Sequence, residues 1–357
     1  MIARRRFLAL AAAIGGGLAV SPRADATGGL DPDLGTPPPA LGAPPNPGNP
    51  SIRVLLASRV GPGQVVAASS SAFTFEGKMY RGGFSIVDGP DRVRSLVATL
   101  PLDAYLYGVV PLEIGRHWPS RALETQAIVA RTFALDHRVH GRPYDLVASA
   151  ADQVWGGMSA ETADTNAAVD ATEGQVVTYL GGLASVFYSS CCGGHTADAA
   201  HVWGGAEIPY LRGVPDPYCL AASPDARWTA TLTVGALLAA LGAKAAGLGP
   251  LREIALGEAA RDERRPLRLV GSLAATEIPS AAVRNAVGPR TLRSTLWHDL
   301  TVEGDPSQAA TVLRIEGSGS GHGVGLCQWG ARVLAQQGWS PRNIVGFYFP
   351  GTLVTYV

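Results

Sequence analysis

Charge of one sign is missing from this sequence. Its 357 residues carry a formal net charge of zero, only 16% are charged, and no lysine-rich stripe appears. That balance lacks the electrostatic footprint of a nucleic-acid binder and argues against a polyanionic substrate. No internal repeat is present. Beyond the first residues, no apolar run is long enough to span a bilayer. Cysteine is scarce, at four residues, and the Cys and His spacing matches no standard four-ligand zinc pattern. A glycine-dense stretch near the end lacks the Gly-Lys-Ser/Thr ending of a phosphate loop. What is plentiful is apolar surface: 46% of residues are hydrophobic. The chain can therefore bury a sizeable core as one large domain or two modest ones, and is not disordered overall.

The first 26 residues, "MIARRRFLALAAAIGGGLAVSPRADA", read as an export signal: a basic start, an apolar stretch from Phe7 to Val20, and a small-x-small end at Ala24-Asp25-Ala26. Arg4-Arg5-Arg6-Phe7-Leu8 resembles the twin-arginine signal. The expected location is outside the cytoplasm, in the periplasm or cell wall, with no transmembrane anchor. Residues 27–50 are rich in Pro and Gly and read as a solvated tether.

From Ser51 the texture changes. "SIRVLLA", "GQVVAASS" and "FSIVDG" are short runs broken by Gly, Pro and Asp, and read as strands. Pro119 and Ser120 start a helix that Gly141 stops, extending to about residue 140 and apolar on nearly every face. A second helix is expected at about 160–173, then strands at "QVVTYL" and "ASVFYSS", and a helix in "TVGALLAALGAKAAG". Short strands fill the region from Leu251 to Ile315, and the end reads as two helices and a turn. Strands and helices mix without a regular βαβ alternation, so the expected class is α+β, forming a substrate cleft over residues 51–357.

One residue breaks the apolar pattern. Glu113 lies in "GVVPLEIGRHW", among Val109, Val110, Leu112 and Ile114. Carboxylates are rarely buried unless paired or functional. Apolar burial would raise its pKa and make it a proton donor to a leaving oxygen, the chemistry of glycosidic cleavage. An ion pair with Arg131 on the following helix would do the opposite. Both readings stand open on pattern alone. The acid role requires an open cleft near the glycine-dense loop and the Ser189–Thr196 segment. Gln126 and Arg131 are polar residues on the apolar helix, five apart and so on different sides of it.

Two further clusters carry chemistry. In "VFYSSCCGGHTADAAHVWGG", Gly193 and Gly194 allow close backbone approach beside Ser189, Ser190, His195 and Thr196. Cys191, Cys192, His195 and His201 are possible metal ligands. In an exported chain, however, thiols more often end as disulfides, and a Cys192–Cys219 bridge is the preferred expectation. In "GSGSGHGVGLCQWGA", alternating glycines present His322, and Gln328 and Trp329 are residue types that hydrogen-bond to and stack on sugars.

Together these stretches resemble the stage II sporulation protein D and amidase-enhancer family of cell-wall proteins. "PLDAYLYGVVPLEIGRHWPSRALETQAIVARTFAL" is similar to its signature block. "DQVWGG", "TNAAVDATEGQVV" and "YSSCCGGHT…VWG" are similar to its middle, and "GSGHGVGLCQWGARVLAQQG" with "FYFPGT" to its close. The resemblance covers Ser51 to Val357. It implies a lytic transglycosylase acting on peptidoglycan glycan strands, particularly peptide-stripped ones, with Glu113 as acid and then base. One carboxylate suffices because the attacking hydroxyl belongs to the substrate, unlike the two-carboxylate hydrolases. The expected substrate contacts are Gln126, Ser189, Ser190, Gly193, Gly194, Thr196, His322, Gln328 and Trp329. The family also contains non-catalytic enhancers of a cell-wall amidase, which makes such an amidase the second expected partner after the glycan.

There are departures. Ile114 stands where the family commonly has Met, Glu124-Thr125 where Lys-Ala is common, and Cys327 where many members have Ser, here read as a reduced, buried thiol. Some members bind zinc through two Cys and two His. That full set does not map here, so no cofactor is expected, with zinc at Cys192, His195 and Cys219 as the alternative.

Overall fold

The computed structural model describes residues 49–357 apart from 62–63, 70, 89–92 and 140. The expected export signal and nearly all of the expected tether lie outside the described residues. Strand Ser51–Ser58 buries Ile52 and Val54 and is central to a four-stranded sheet, in the order Gly83–Asp88, Arg94–Pro101, Ser51–Ser58, Leu146–Val147. Its pairing with Arg94–Pro101 is antiparallel, with Val54 opposite Ala98, and its pairing with Leu146–Val147 is parallel.

The helices are α1 (Leu102–Glu113), α2 (Ser120–Asp136), α3 (Ala163–Ala171), α4 (Ala199–Trp203), α5 (Val234–Leu241), α6 (Ser280–Val287), α7 (Gln328–Gln336) and α8 (Pro341–Tyr348). Strands and helices are interleaved and most pairings are antiparallel, so the class is α+β.

Helix α1 is the element that pattern reading missed. Gly108, the β-branched pair Val109-Val110 and Pro111 all weaken helix propensity, and Pro111 also removes a backbone donor. Burial overrides this: Leu102, Tyr105, Leu106, Val109 and Val110 enter the core that also holds Ile52, Val54 and Leu96. Gly108 has a steric reason, since a Cβ there would sit 2.6 Å from the Trp155 indole nitrogen.

Helix α2 starts at Ser120 as expected and stops earlier than expected, at Asp136, where the His137 N–H bonds the Phe133 carbonyl. Its two faces serve two cores. Leu123, Ala127, Ala130 and Ala134 face the α1 side, and Ala122, Val129 and Phe133 face the core built by Phe187, Leu326, Ile344 and Phe349. A third core, around Leu237, Leu269, Val283, Trp297 and Leu313, fills the region between Trp228 and Ser318, for which the sequence suggests elements but no role. Helix α6 interrupts the strands expected there, and of "ASVFYSS" only Tyr188–Ser189 is strand.

The C-terminal turn of α2 carries a matched pair of buried titrating groups. Burial pushes Asp136 up to about 6 and His137 down to about 4. As pH falls from 6 towards 4, the folded chain binds a proton at Asp136 before the unfolded chain does, which stabilises the fold. At His137 the unfolded chain protonates first, which destabilises it. In Asp136→Asn the histidine loss is uncompensated. Urea unfolding of this variant should lose stability across pH 6.5 to 4 more steeply than the parent, by up to about 1.4 kcal/mol per pH unit. Parallel slopes would remove Asp136 from the balance.

Candidate active site

Glu113 is the last residue of α1, where the negative end of the helix dipole opposes a charged carboxylate. Its Oε1 accepts from the Val154 N–H at 3.2 Å. The Gln328 side chain, at the start of α7, donates to the Glu113 carbonyl at 2.7 Å and to Gln126 Oε1 on α2 at 3.2 Å. Tyr188 lies against the same carboxylate: burial pushes its hydroxyl well above the usual range, and the Glu113 charge adds to that. Gln153 donates to the Tyr188 oxygen at 3.2 Å. Strand Tyr188–Ser189 runs parallel to Leu326–Cys327, which sets Ser189 beside the start of α7. Glu113, Gln126, Ser189 and Gln328 are thus gathered from four elements.

Several buried polar atoms in this region have no hydrogen-bond partner among the described residues: Gln126 Nε2, Gln153 Oε1, Ser189 Oγ and Tyr105 Oη. Buried polar groups are normally satisfied, so unspent capacity concentrated in one region suits a hydroxyl-rich or amide-rich ligand, or ordered water. Sequence reasoning did not single out Gln153, Tyr105 or Tyr188. Their signal was the "DQVWGG" stretch and the tyrosines flanking Glu113 and Ser189.

The competing ion pair does not form. Arg131 pairs with Asp103 at 2.9 Å instead. The open cleft is also not observed: Glu113 is 2% exposed. The turn that follows it folds back, with the Trp118 N–H bonded to the Gly115 carbonyl at 3.1 Å. Trp118 packs on Trp329 with ring centroids 4.9 Å apart, and the Arg332 guanidinium lies over both rings, at 5.2 and 4.9 Å. This Trp–Trp–Arg group borders the end of α1.

The remaining expected contacts also have partners within the fold. Thr196 Oγ1 accepts from the Val214 N–H at 2.7 Å, and the Thr196 N–H bonds the Val214 carbonyl. Gly193 has φ +82°, and a Cβ there would lie 2.5 Å from the Ser318 carbonyl oxygen. Its glycine permits this close backbone packing. The Gly194 carbonyl accepts from the Asp216 N–H, and the Ser190 carbonyl from the Trp329 N–H. His322 is buried, with Nδ1 accepting from the Val324 N–H at 3.0 Å and its ring 5.2 Å from Trp203. A cavity of about 330 Å³ opens elsewhere, lined by His201, Arg264, Arg265, Pro266, Pro279 and Ser280, none of them an expected substrate contact.

The expected Cys192–Cys219 bridge is not formed. All four cysteines are free and buried, and the Cys192 and Cys219 sulfurs are 3.6 Å apart. Cys327 is the buried thiol that the sequence suggested, but it belongs to the same cluster: the Cys192 N–H points at its sulfur at 3.3 Å. His195 is not part of the cluster, since its Nδ1 bonds the Thr196 carbonyl oxygen at 2.8 Å. His201 pairs with Asp262 at 3.1 Å.

With this geometry described, comparison with known proteins locates the chain. The family model SpoIID, described as stage II sporulation protein, matches residues 91–179, which contain α1, α2 and Glu113. An uncharacterized protein of Brachyspira hyodysenteriae is 30% identical over 290 residues, covering 80% of this chain and 75% of that protein. The chain belongs to the stage II sporulation protein D family. The stage II sporulation protein D of Bacillus subtilis is 26% identical, covering 72% of this chain and 76% of its own length. The amidase enhancer of the same organism is 28% identical over 70% of this chain, which spans 40% of that longer protein. Among the described residues, no helix of this SpoIID-family chain is long and apolar enough to cross a membrane.

Proposed function

We propose that the protein is an exported lytic transglycosylase that cleaves the bond between N-acetylmuramic acid and N-acetylglucosamine in peptidoglycan strands, preferably strands stripped of their peptides. The observation that carries this reading is the setting of Glu113. Its carboxylate sits at the C-terminus of α1, accepts from the Val154 N–H at 3.2 Å and lies against the Tyr188 hydroxyl. A carboxyl at that position supplies the acid and base chemistry that glycosidic cleavage needs.

In this mechanism Glu113 protonates the glycosidic oxygen and the bond to the muramyl anomeric carbon breaks. The resulting carboxylate takes the proton of the muramyl 6-hydroxyl, whose oxygen closes on the anomeric carbon as a 1,6-anhydro ring. No water is consumed and the proton returns to Glu113. Gln126, Gln153 and Ser189 offer hydrogen bonds to sugar hydroxyls and acetamido groups, and Trp118 and Trp329 offer stacking faces. The carboxylate is closed to solvent, so this reading requires the turn 115–118 with Trp118 to move when a strand binds.

The same burial favours a second reading. A chain whose carboxylate stays closed would bind glycan and stimulate a cell-wall amidase without cutting, in line with the amidase-enhancer relative. Mass spectrometry of peptide-stripped glycan strands incubated with the protein separates the two. Anhydro-muramyl ends support the transglycosylase. Reducing ends would mean a hydrolase with a second carboxylate. Intact strands that remain bound would leave the enhancer.

A further inference from the structure

We propose that Cys192, Asp216, Cys219 and Cys327 bind a single zinc ion that staples the floor of the candidate site. Their ligand atoms all lie within 4.8 Å of one another. Tetrahedral zinc with sulfur at about 2.3 Å sets neighbouring sulfurs about 3.8 Å apart, and Cys192 and Cys219 stand at 3.6 Å. The four residues come from three separated stretches that the fold brings to one point.

Three features besides proximity point to a cation. First, Asp216 is 0% exposed and takes part in no ion pair found among the described residues. A buried carboxylate surrounded by thiols is costly without a positive charge. Second, that carboxylate is already oriented: Tyr348 donates to Oδ2 at 2.9 Å and the Tyr218 N–H donates to Oδ1 at 3.0 Å. Outer hydrogen bonds of this kind aim a metal-ligating carboxylate. Third, the Cys192 N–H is directed at the Cys327 sulfur, an arrangement suited to a thiolate acceptor.

Three thiolates and one carboxylate select zinc over calcium or magnesium, which prefer all-oxygen sites. With every ligand at 0–1% exposure, no position is left open for water, which makes the site structural rather than catalytic. Binding releases the thiol protons to solvent as the metal enters. The candidate set Cys191, Cys192, His195 and His201 does not assemble here, because His195 bonds the Thr196 carbonyl oxygen and His201 pairs with Asp262.

The position gives the ion a role. Cys327 immediately precedes Gln328, the residue that grips the Glu113 carbonyl and Gln126. Fixing Cys327 to the 192 and 216–219 segments fixes the start of α7, and with it the end of α1.

The test is metal analysis of the full chain purified without chelators, with cobalt(II) substitution as an optical probe. The expected result is one zinc per chain, and a cobalt form with thiolate charge-transfer bands and the intense visible bands of a tetrahedral site. Cys219→Ser and Asp216→Asn should each reduce bound metal to background or alter the cobalt spectrum. Cys191→Ser, which changes a neighbouring thiol outside the set, should retain the zinc. Chelation should lower Tm. A metal-free protein with all four thiols titratable after unfolding would overturn the proposal. So would a Cys192–Cys219 disulfide found by peptide mapping, or loss of metal in Cys191→Ser with retention in Asp216→Asn.

Discussion

Glu113→Gln is expected to remove anhydro-muramyl product formation while leaving the fold intact. Loss of a positioned general acid costs on the order of 10²- to 10⁴-fold in rate. The amide keeps the shape of the side chain and an oxygen to accept from the Val154 N–H, now at 3.2 Å. The Gln328 contact is to the Glu113 backbone carbonyl and survives the substitution. Urea unfolding should therefore place the variant within about 1 kcal/mol of the parent. Glycan binding should also persist, because the amides and indoles that would hold the strand are untouched. A variant that retains the parent rate would show that another group donates the proton, and would end the role assigned to Glu113. A variant that loses activity together with several kcal/mol of stability would show that the carboxylate is part of the core packing, so the combination of lost rate and kept stability is the diagnostic result.

The parts of this site that were legible in the sequence are those that break a pattern. Glu113 stood out because a carboxylate interrupts an apolar run, and Gln126 because an amide sits on an apolar helix face. In the structure Gln328 bridges the two, donating to the Glu113 carbonyl and to Gln126 Oε1. Helix α2 was legible because Pro119 and Ser120 mark its start and its residues are apolar on every side. Helix α1 was not, because Gly108 and Pro111 argue locally against a helix that only tertiary burial stabilises. The thiol cluster was misread for a different reason. Disulfide pairing inferred from compartment ignores where the fourth cysteine falls, and Cys327 lies more than a hundred residues from Cys219 in sequence yet joins the same cluster. Asp216 did carry a local signal, three residues before Cys219, but a lone Asp in a Pro-rich turn resembles an ordinary turn residue. Thr196, Gly193 and His322 were read as substrate contacts from their glycine-rich motifs and the family resemblance. Neither reveals that the Val214 backbone, the Ser318 carbonyl and the Val324 N–H also pack against or bond them.

Arg131→Met is expected to be the most destabilising single change on α2. The guanidinium is 1% exposed and serves three elements at once. It pairs with Asp103 in the first turn of α1 at 2.9 Å, donates to the Val169 carbonyl in the last turn of α3 at 3.1 Å, and donates to the Gln175 carbonyl at 3.2 Å. Removing it leaves the largely buried Asp103 carboxylate without its cation and takes one donor from the Val169 and Gln175 carbonyls, and breaking a buried pair from one side costs about 3–5 kcal/mol. Asp103→Asn should cost less, because the arginine keeps its carbonyl acceptors and the amide oxygen can still accept. The double variant Arg131→Met, Asp103→Leu should recover part of the loss, since no charge is then left unpaired, and a double-mutant cycle from urea unfolding measures that coupling. Additive losses would mean that the pair contributes only through packing. Because the pair fixes α1 against α2, the energy it holds also sets how firmly Glu113 is presented to Gln126 and Gln328. Asp103→Asn should therefore loosen the site before it unfolds the chain, seen as faster hydrogen exchange at the Val154 and Ile114 amides under conditions where the fold is still intact.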